Sequence, residues 1–246
     1  MEVLGIDIGG SGIKGAIVET ETGALVQERF RIETPQPATP DAMVETIARI
    51  AEHFEWRGKP IGSGFPGVVM SGEIRTAANL DKDWIGKNAE TLIAEATGAS
   101  LVHVLNDADA AGLAEVRLGA GRDVKGVVLM VTLGTGIGTG LYVDGILVPN
   151  TELGHIEVNG HPDAEQWAAD SAREREDLKW SAWAGRVNTY LNKMHALFWP
   201  DLIIIGGGVS KKSEKFFQHL IVPTTVVAAA LLNDAGIVGA ALAAAS

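Results

Sequence analysis

The sequence predicts an α/β protein built as two similar lobes around a cleft, on three observations. A glycine-rich turn between two apolar runs occurs once in each half of the 246-residue chain. Strand-length apolar runs alternate with stretches of helical periodicity. No linker or low-complexity segment interrupts the chain, and its length suits one large domain or two lobes.

The first glycine hairpin places strands at 3–8 and 13–18 around Gly9-Gly10-Ser11-Gly12. Thr22-Gly23 closes a second hairpin into a strand near 25–32, and a proline-punctuated loop follows from Thr34 to Pro40. Asp41 is expected to cap a helix whose stripe is Met43, Val44, Ile47, Ile50, Ala51 and Phe54. Short strands are expected at 62–69 and 101–105, the latter running into Asn106-Asp107-Ala108-Asp109 and a helix to about Leu118. The opening pattern then recurs at 129–143, where Gly134 matches Gly9 and Gly140 matches Gly15. A long helix is expected at 180–198. Trp180, Trp183, Val187, Tyr190, Leu191, Met194 and Phe198 line one face, read as packing rather than a cofactor site, and Pro200 ends it. A wholly apolar strand at 202–205 meets Gly206-Gly207-Gly208, and Asn233-Asp234 is expected to cap an Ala-rich terminal helix. The expected lobes are 1–106, completed by 234–246, and 107–233.

Composition narrows the partners. Hydrophobic residues at 46% and charged residues at 21% are the balance of a globular protein. A net charge of −11 argues against nucleic-acid binding, which needs clustered Lys and Arg. The chain has no cysteine, which excludes disulfides and thiolate metal sites. The start lacks the basic and apolar regions of a signal peptide, and the apolar tail at 236–245 is too short to span a bilayer. A cytoplasmic location without membrane contact is expected.

Four segments could carry chemistry. Asp7-Ile8-Gly9-Gly10-Ser11-Gly12-Ile13-Lys14 ends a strand with an acid, and its glycines let backbone N–H groups approach an anion that Lys14 could also reach. It is not a Walker loop. A plain tight hairpin with a surface lysine is the bland alternative. The turn from Leu133 through Gly134, Thr135 and Gly136 offers a second cradle with hydroxyls. Asn106, Asp107 and Asp109 exceed what one helix cap needs, so Asp107 is a candidate general base at a strand's carboxyl end. Glu152-Leu153-Gly154-His155 pairs a carboxylate with an imidazole, a combination suited to hydroxyl recognition and short of ligands for zinc.

Taken together these segments resemble the ROK family of sugar kinases and regulators. The carriers are residues 7–14, Gly64-Phe65-Pro66-Gly67, Ala78-Asn79-Leu80, Asn106-Asp107, residues 133–138, residues 152–155 and Ile205-Gly206-Gly207-Gly208. Within the family, Asp83-Trp84-Ile85-Gly86-Lys87, residues 199–212 and residues 232–241 are similar to polyphosphate glucokinases. The resemblance implies an actin/hexokinase-like (ribonuclease H-like) two-lobe fold with a central cleft, and a homodimer. It implies phosphoryl transfer from inorganic polyphosphate, and possible use of ATP, to the 6-hydroxyl of glucose. Asp107 would take the hydroxyl proton, and Asn79, Asn106, Glu152 and His155 would hold the sugar. Many members carry a cysteine-rich zinc module after E-x-G-H. This chain runs directly to Asp163-Ala164-Glu165, so Glu165 aligns with the module's closing acid as a sugar ligand, with Glu157 as its competitor. Gly9, Gly10, Ser11 and Lys14, with Thr132, Gly134, Thr135 and Gly136, would bind donor phosphate, and Asp7 would hold Mg²⁺ through water. Lys211 and Lys212, with Lys215, are candidates to guide a polyphosphate chain. Arg173, Arg175 and Lys179 are candidates to extend that track, and read better as solvated charges.

The alternatives are an ATP-dependent glucokinase or glucomannokinase of the same family and, more distantly, a non-catalytic sugar-binding or regulatory protein. The family's repressors carry a helix-turn-helix ahead of the phosphate motif, and here that motif begins at Asp7.

Overall fold

A computed structural model describes residues 1–77 and 80–245. The chain forms two compact units, Met1–Ala114 with Asp234–Ser246, and Glu115–Asn233.

In the first unit β1 (Glu2–Ile8) and β2 (Ile13–Glu19) pair antiparallel, with Asp7 opposite Lys14 and Ile8 opposite Ile13. After β3 (Phe30–Ile32) comes α1 (Pro40–His53), whose buried face carries Met43, Ile47, Ile50 and Ala51 as the periodicity predicted. Its cap differs from the expectation. Thr39 is the N-cap, its hydroxyl accepting from Ala42 N at 3.4 Å with Pro40 opening the helix, and Asp41 sits in the first turn. β4 (Pro60–Phe65) runs parallel to β1, and the small pair β5 (Val69–Met70) and β6 (Glu73–Ile74) follows. Then come α2 (Ala89–Thr97) and β7 (Leu101–Asn106), parallel to β4, which leads straight into α3 (Asp107–Leu118). The sheet order is β3-β2-β1-β4-β7, and its registers put Asp7, Gly64 and Leu105 in one row at the carboxyl ends of three parallel strands.

The second unit repeats the plan. β8 (Val127–Leu133) and β9 (Ile137–Val143) form its glycine hairpin, followed by β10 (Ile146–Val148). The short α4 (Ala164–Ala168) and α5 (Asp170–Arg175) precede α6 (Trp180–Phe198), which buries Trp183, Val187, Tyr190, Leu191 and Met194. β11 (Leu202–Gly206) lies parallel to β8 and to β12 (Thr225–Ala228), giving the order β10-β9-β8-β11-β12. Glu115 is wholly buried here. It accepts N–H bonds from Ala120, Ala230 and Leu231 at 2.8, 3.0 and 2.7 Å, which tie the end of α3 to the strand exit.

The last helix, α7 (Ala235–Ala244), returns to the first unit and lies against β1, β4 and α3. Side chains are missing where it touches: a Cβ on Gly5 would meet Ile237 O, one on Gly62 would meet Ala240 O, and one on Gly239 would meet Ala110 O. Asp234 precedes it without a side-chain cap: its backbone is already helical, away from the extended conformation a capping side chain needs, and its carboxylate meets Arg29 at 2.9 Å.

Candidate active site

Each unit builds a cluster of its own, and the base candidate stands in the first. β7 ends in Asn106, whose Oδ1 accepts the N–H groups of Ala108 and Asp109 at 2.8 and 3.1 Å while its Nδ2 donates to Gly67 O at 3.2 Å. Asn106 therefore caps α3, and this buried amide has little capacity left for a sugar. Asp107 Oδ1 accepts from its neighbour Ala108 N at 2.8 Å, and Asp107 keeps partial exposure at the strand's carboxyl edge. A Cβ on Gly64 would stand 3.4 Å from the Asp107 Cα, so this glycine keeps the neighbouring strand end low beside the acid. Asn79 lies outside the described residues.

Two strand spacings away, roughly 10 Å, Asp7 closes β1. Lys14 Nζ stands 3.1 Å from Asp7 Oδ2, and a Cβ on Gly236 in the first turn of α7 would stand 3.1 Å from Asp7 Oδ1. Helix starts favour negative charge, so the acid sits where α7 and Lys14 both stabilise it. The turn itself is closed by Gly9 N to Gly12 O at 3.1 Å. Its carbonyls are held from outside: Thr34 Oγ1 donates to Gly9 O at 2.5 Å and Arg31 Nη2 to Ser11 O at 2.7 Å. Occupied carbonyls leave less negative charge to repel an anion, and Gly10 and Ser11 are exposed.

The second unit's turn is treated alike. Gly134 N bonds Gly136 O at 3.0 Å, while Ser171 N donates to Gly134 O at 3.0 Å and Ser171 Oγ to Thr135 O at 2.6 Å. Thr132 is half-buried and Thr135 exposed. Below the turn, Glu165 Oε2 accepts Ile137 N at 2.9 Å, and its carboxyl occupies the space beside Gly136. Glu165 thus stiffens the turn with one oxygen.

Glu152 has φ 38°, a left-handed conformation at a non-glycine residue, directly before the turn Leu153–His155. That loop is held by three contacts: Leu153 N to Thr139 Oγ1 at 3.0 Å, Tyr190 OH to Leu153 O at 3.3 Å, and Gly154 packed on Ile137 O with no room for a Cβ. His155 lies between two carboxylates, with Nε2 at 3.7 Å from Glu152 Oε2 and Nδ1 at 3.5 Å from Asp163 Oδ1. Burial pushes the Glu152 carboxyl above its ordinary range; His155 opposes this and the charge of Glu165 adds to it. Glu157 caps its own turn through Gly160 N at 2.8 Å. Asp163 and Ser171 are the residues that sequence reasoning missed. Their signals, an acid ahead of a short helix and a serine in its continuation, are too common to stand out.

The ROK family model matches residues 3–170, well over half of the chain. The chain belongs to the ROK family. It is 52% identical to the polyphosphate glucokinase of Mycobacterium tuberculosis strain CDC 1551 / Oshkosh over 239 residues, covering 97% of this chain and 89% of that one. The crystal structure of an inorganic polyphosphate/ATP-glucomannokinase from Arthrobacter sp. strain KM superposes with TM-score 0.94 at 48% identity, covering 99% and 98% of the two chains. A ROK glucokinase from Streptomyces griseus, solved with glucose and AMPPNP, superposes with TM-score 0.81 at 26% identity over 98% of each chain. The fold of this ROK protein is accordingly the actin/hexokinase-like fold. Among its described residues no helix is long and apolar enough to cross a membrane.

Proposed function

We infer that this ROK protein is a kinase that transfers a phosphoryl group from inorganic polyphosphate to glucose. The observation that carries this is similarity at about half identity along nearly the whole chain to proteins named for that activity. The Arthrobacter protein's name supports ATP as a second donor and mannose as a second acceptor.

Phosphoryl transfer asks the protein chiefly to position its substrates and to neutralise charge. In this reading Asp107 accepts the proton of the sugar 6-hydroxyl. Its place supports that role, since Asn106 already caps α3 and leaves the acid at the strand edge. Glu152 and His155 hold sugar hydroxyls, and Glu165 adds its second oxygen. Asn106 contributes at most one amide hydrogen, and Asn79 keeps the role assigned by resemblance. Gly9, Gly10, Ser11 and Lys14, and in the second unit Thr132, Gly134, Thr135 and Gly136, bind the donor's phosphates, with Lys211 and Lys212 along its chain.

Phosphoryl transfer of this kind uses Mg²⁺, and the residues present fit it: Asp7 offers one carboxylate, and Mg²⁺ is commonly shared between one or two carboxylates, water and substrate phosphates. Bound there, the ion would neutralise charge on the transferred group. We place the protein in the cytoplasm as a homodimer.

The test compares kcat/KM for polyphosphate and ATP at identical Mg²⁺ and ionic strength, with glucose, mannose, fructose and N-acetylated hexosamines as acceptors. Polyphosphate with glucose is expected to be the best pair. An ATP value about tenfold higher, a difference of about 1.4 kcal/mol in transition-state stabilisation, would sink the donor assignment.

A further inference from the structure

We propose that Arg173, Lys212 and Lys215, gathered on the indole of Trp180, form a subsite for the phosphates of a polyphosphate chain that are not being transferred. The proposal rests on the polyphosphate reading above and extends it to the path of the donor.

Three cations converge on one ring. The Arg173 Cζ lies 4.3 Å from its centroid, Lys215 Nζ 5.5 Å and Lys212 Nζ 5.9 Å, all within cation–π range. Flexible lysines on a surface ordinarily spread apart, because like charges repel and each is well hydrated. Here they gather in a chain of net charge −11. Only Arg173 is offset by acids, Asp170 at 2.6 Å and Glu174 at 3.1 Å; among the described residues neither lysine is within ion-pair distance of a carboxylate. The cluster therefore keeps two uncompensated positive charges, with exposed Lys211 beside them.

The platform is rigid. Trp180 stacks on buried Phe216 at 6.2 Å and meets Trp183 edge-on at 5.6 Å, and Trp183 Nε1 donates to Ala168 O and Ala169 O at 3.0 and 3.1 Å. With its ring already engaged by Arg173 and Phe216, the cluster suits an anion better than a stacked base. Both arms are also tied to the second glycine turn. Arg173 follows Ser171, which bonds the turn at Gly134 and Thr135. Lys212 and Lys215 stand on the helical segment that follows Gly207, which packs against the Leu133 backbone with no room for a Cβ. A chain with one end at that turn is thereby offered cations on the neighbouring segments. Trp180 itself needs no catalytic role: it holds cations where they would otherwise disperse.

The experiment measures kcat/KM with tripolyphosphate, long-chain polyphosphate and ATP for the wild-type chain, Arg173→Ala/Lys215→Ala and Lys215→Arg. Removing one charge-assisted hydrogen bond weakens binding about tenfold, so the ratio of long-chain to tripolyphosphate kcat/KM should fall by about that factor or more in the double variant. Lys215→Arg should retain the ratio. Long-chain polyphosphate should also perturb tryptophan emission in the wild type and not in Trp180→Phe. A ratio changed by less than about twofold, within the usual worth of exposed charges, overturns the subsite while leaving a polyphosphate-using enzyme intact. Equal losses for all three donors overturn it too, since that pattern marks a structural defect. A wild type that uses ATP and no polyphosphate of any length removes the donor reading and the subsite together.

Discussion

Asp107 and Asn106 divide two tasks that one residue often performs. Because the Asn106 amide takes the Ala108 and Asp109 N–H groups, Asp107→Asn should leave α3 capped and the thermal midpoint unchanged. General-base catalysis contributes roughly 10²–10⁴-fold, so kcat should fall by that much, and a loss below about threefold would reduce Asp107 to a turn residue. Asn106→Ala should instead lower stability by about 1 kcal/mol through the lost cap. Glu152 carries a pH signature. Its folded-state pKa is raised, chiefly by burial, so the native state holds a proton that the unfolded chain gives up. Its stabilising contribution is complete below the unfolded carboxylate pKa and is lost as pH rises through the folded one. Glu152→Gln, which cannot ionise, should therefore gain stability relative to wild type from mild acid to neutral pH, while its glucose KM rises. Melting curves that keep a constant separation across that range would remove Glu152 from its half-buried setting.

At the scale of elements, the apolar patterns were legible, and of the expected caps only the one at the start of α3 held. The stripes of α1 and α6 are buried as their spacing predicted, since burial follows directly from a period of 3.6. Asp41 and Asp234 both failed as caps, because a cap depends on backbone geometry that neighbouring residues set: at α1 Thr39 and Pro40 take the first positions, and at α7 the Asp234 backbone is already helical. The nearly featureless α7 shows the same limit. Its alanines and glycines say that something packs closely, and only the fold identifies β1, β4 and α3 as the partners. Gly239→Ala drives a methyl into Ala110 O and should lower stability by about 1–3 kcal/mol, read as a drop in the denaturation midpoint. An unchanged midpoint would mean that α7 can slide away from α3.

For the molecule as a whole, the metal and assembly assignments can be checked together. Chelation should abolish transfer while leaving the melting temperature nearly unchanged, and Mg²⁺ should restore activity. Elemental analysis should find no stoichiometric zinc, because the E-x-G-H loop is held by Thr139, Tyr190 and the packing of Gly154. Sedimentation should give twice the 25.9 kDa chain mass; a monomer at assay concentration would refute the dimer. By itself the sequence determined the α/β class, both glycine hairpins, the family and the identity of the base candidate. These are written in contiguous residues, where periodicity, turn chemistry and motif order are local facts. The tertiary structure alone decided which groups hold the motifs in place. Glu165 reaches Ile137 from 28 positions away and Ser171 reaches Thr135 from 36, while Arg173 meets Lys212 and Lys215 only because two distant segments share one indole. No local pattern encodes such pairings, because a side chain's partner across space depends on how every intervening strand and helix has packed.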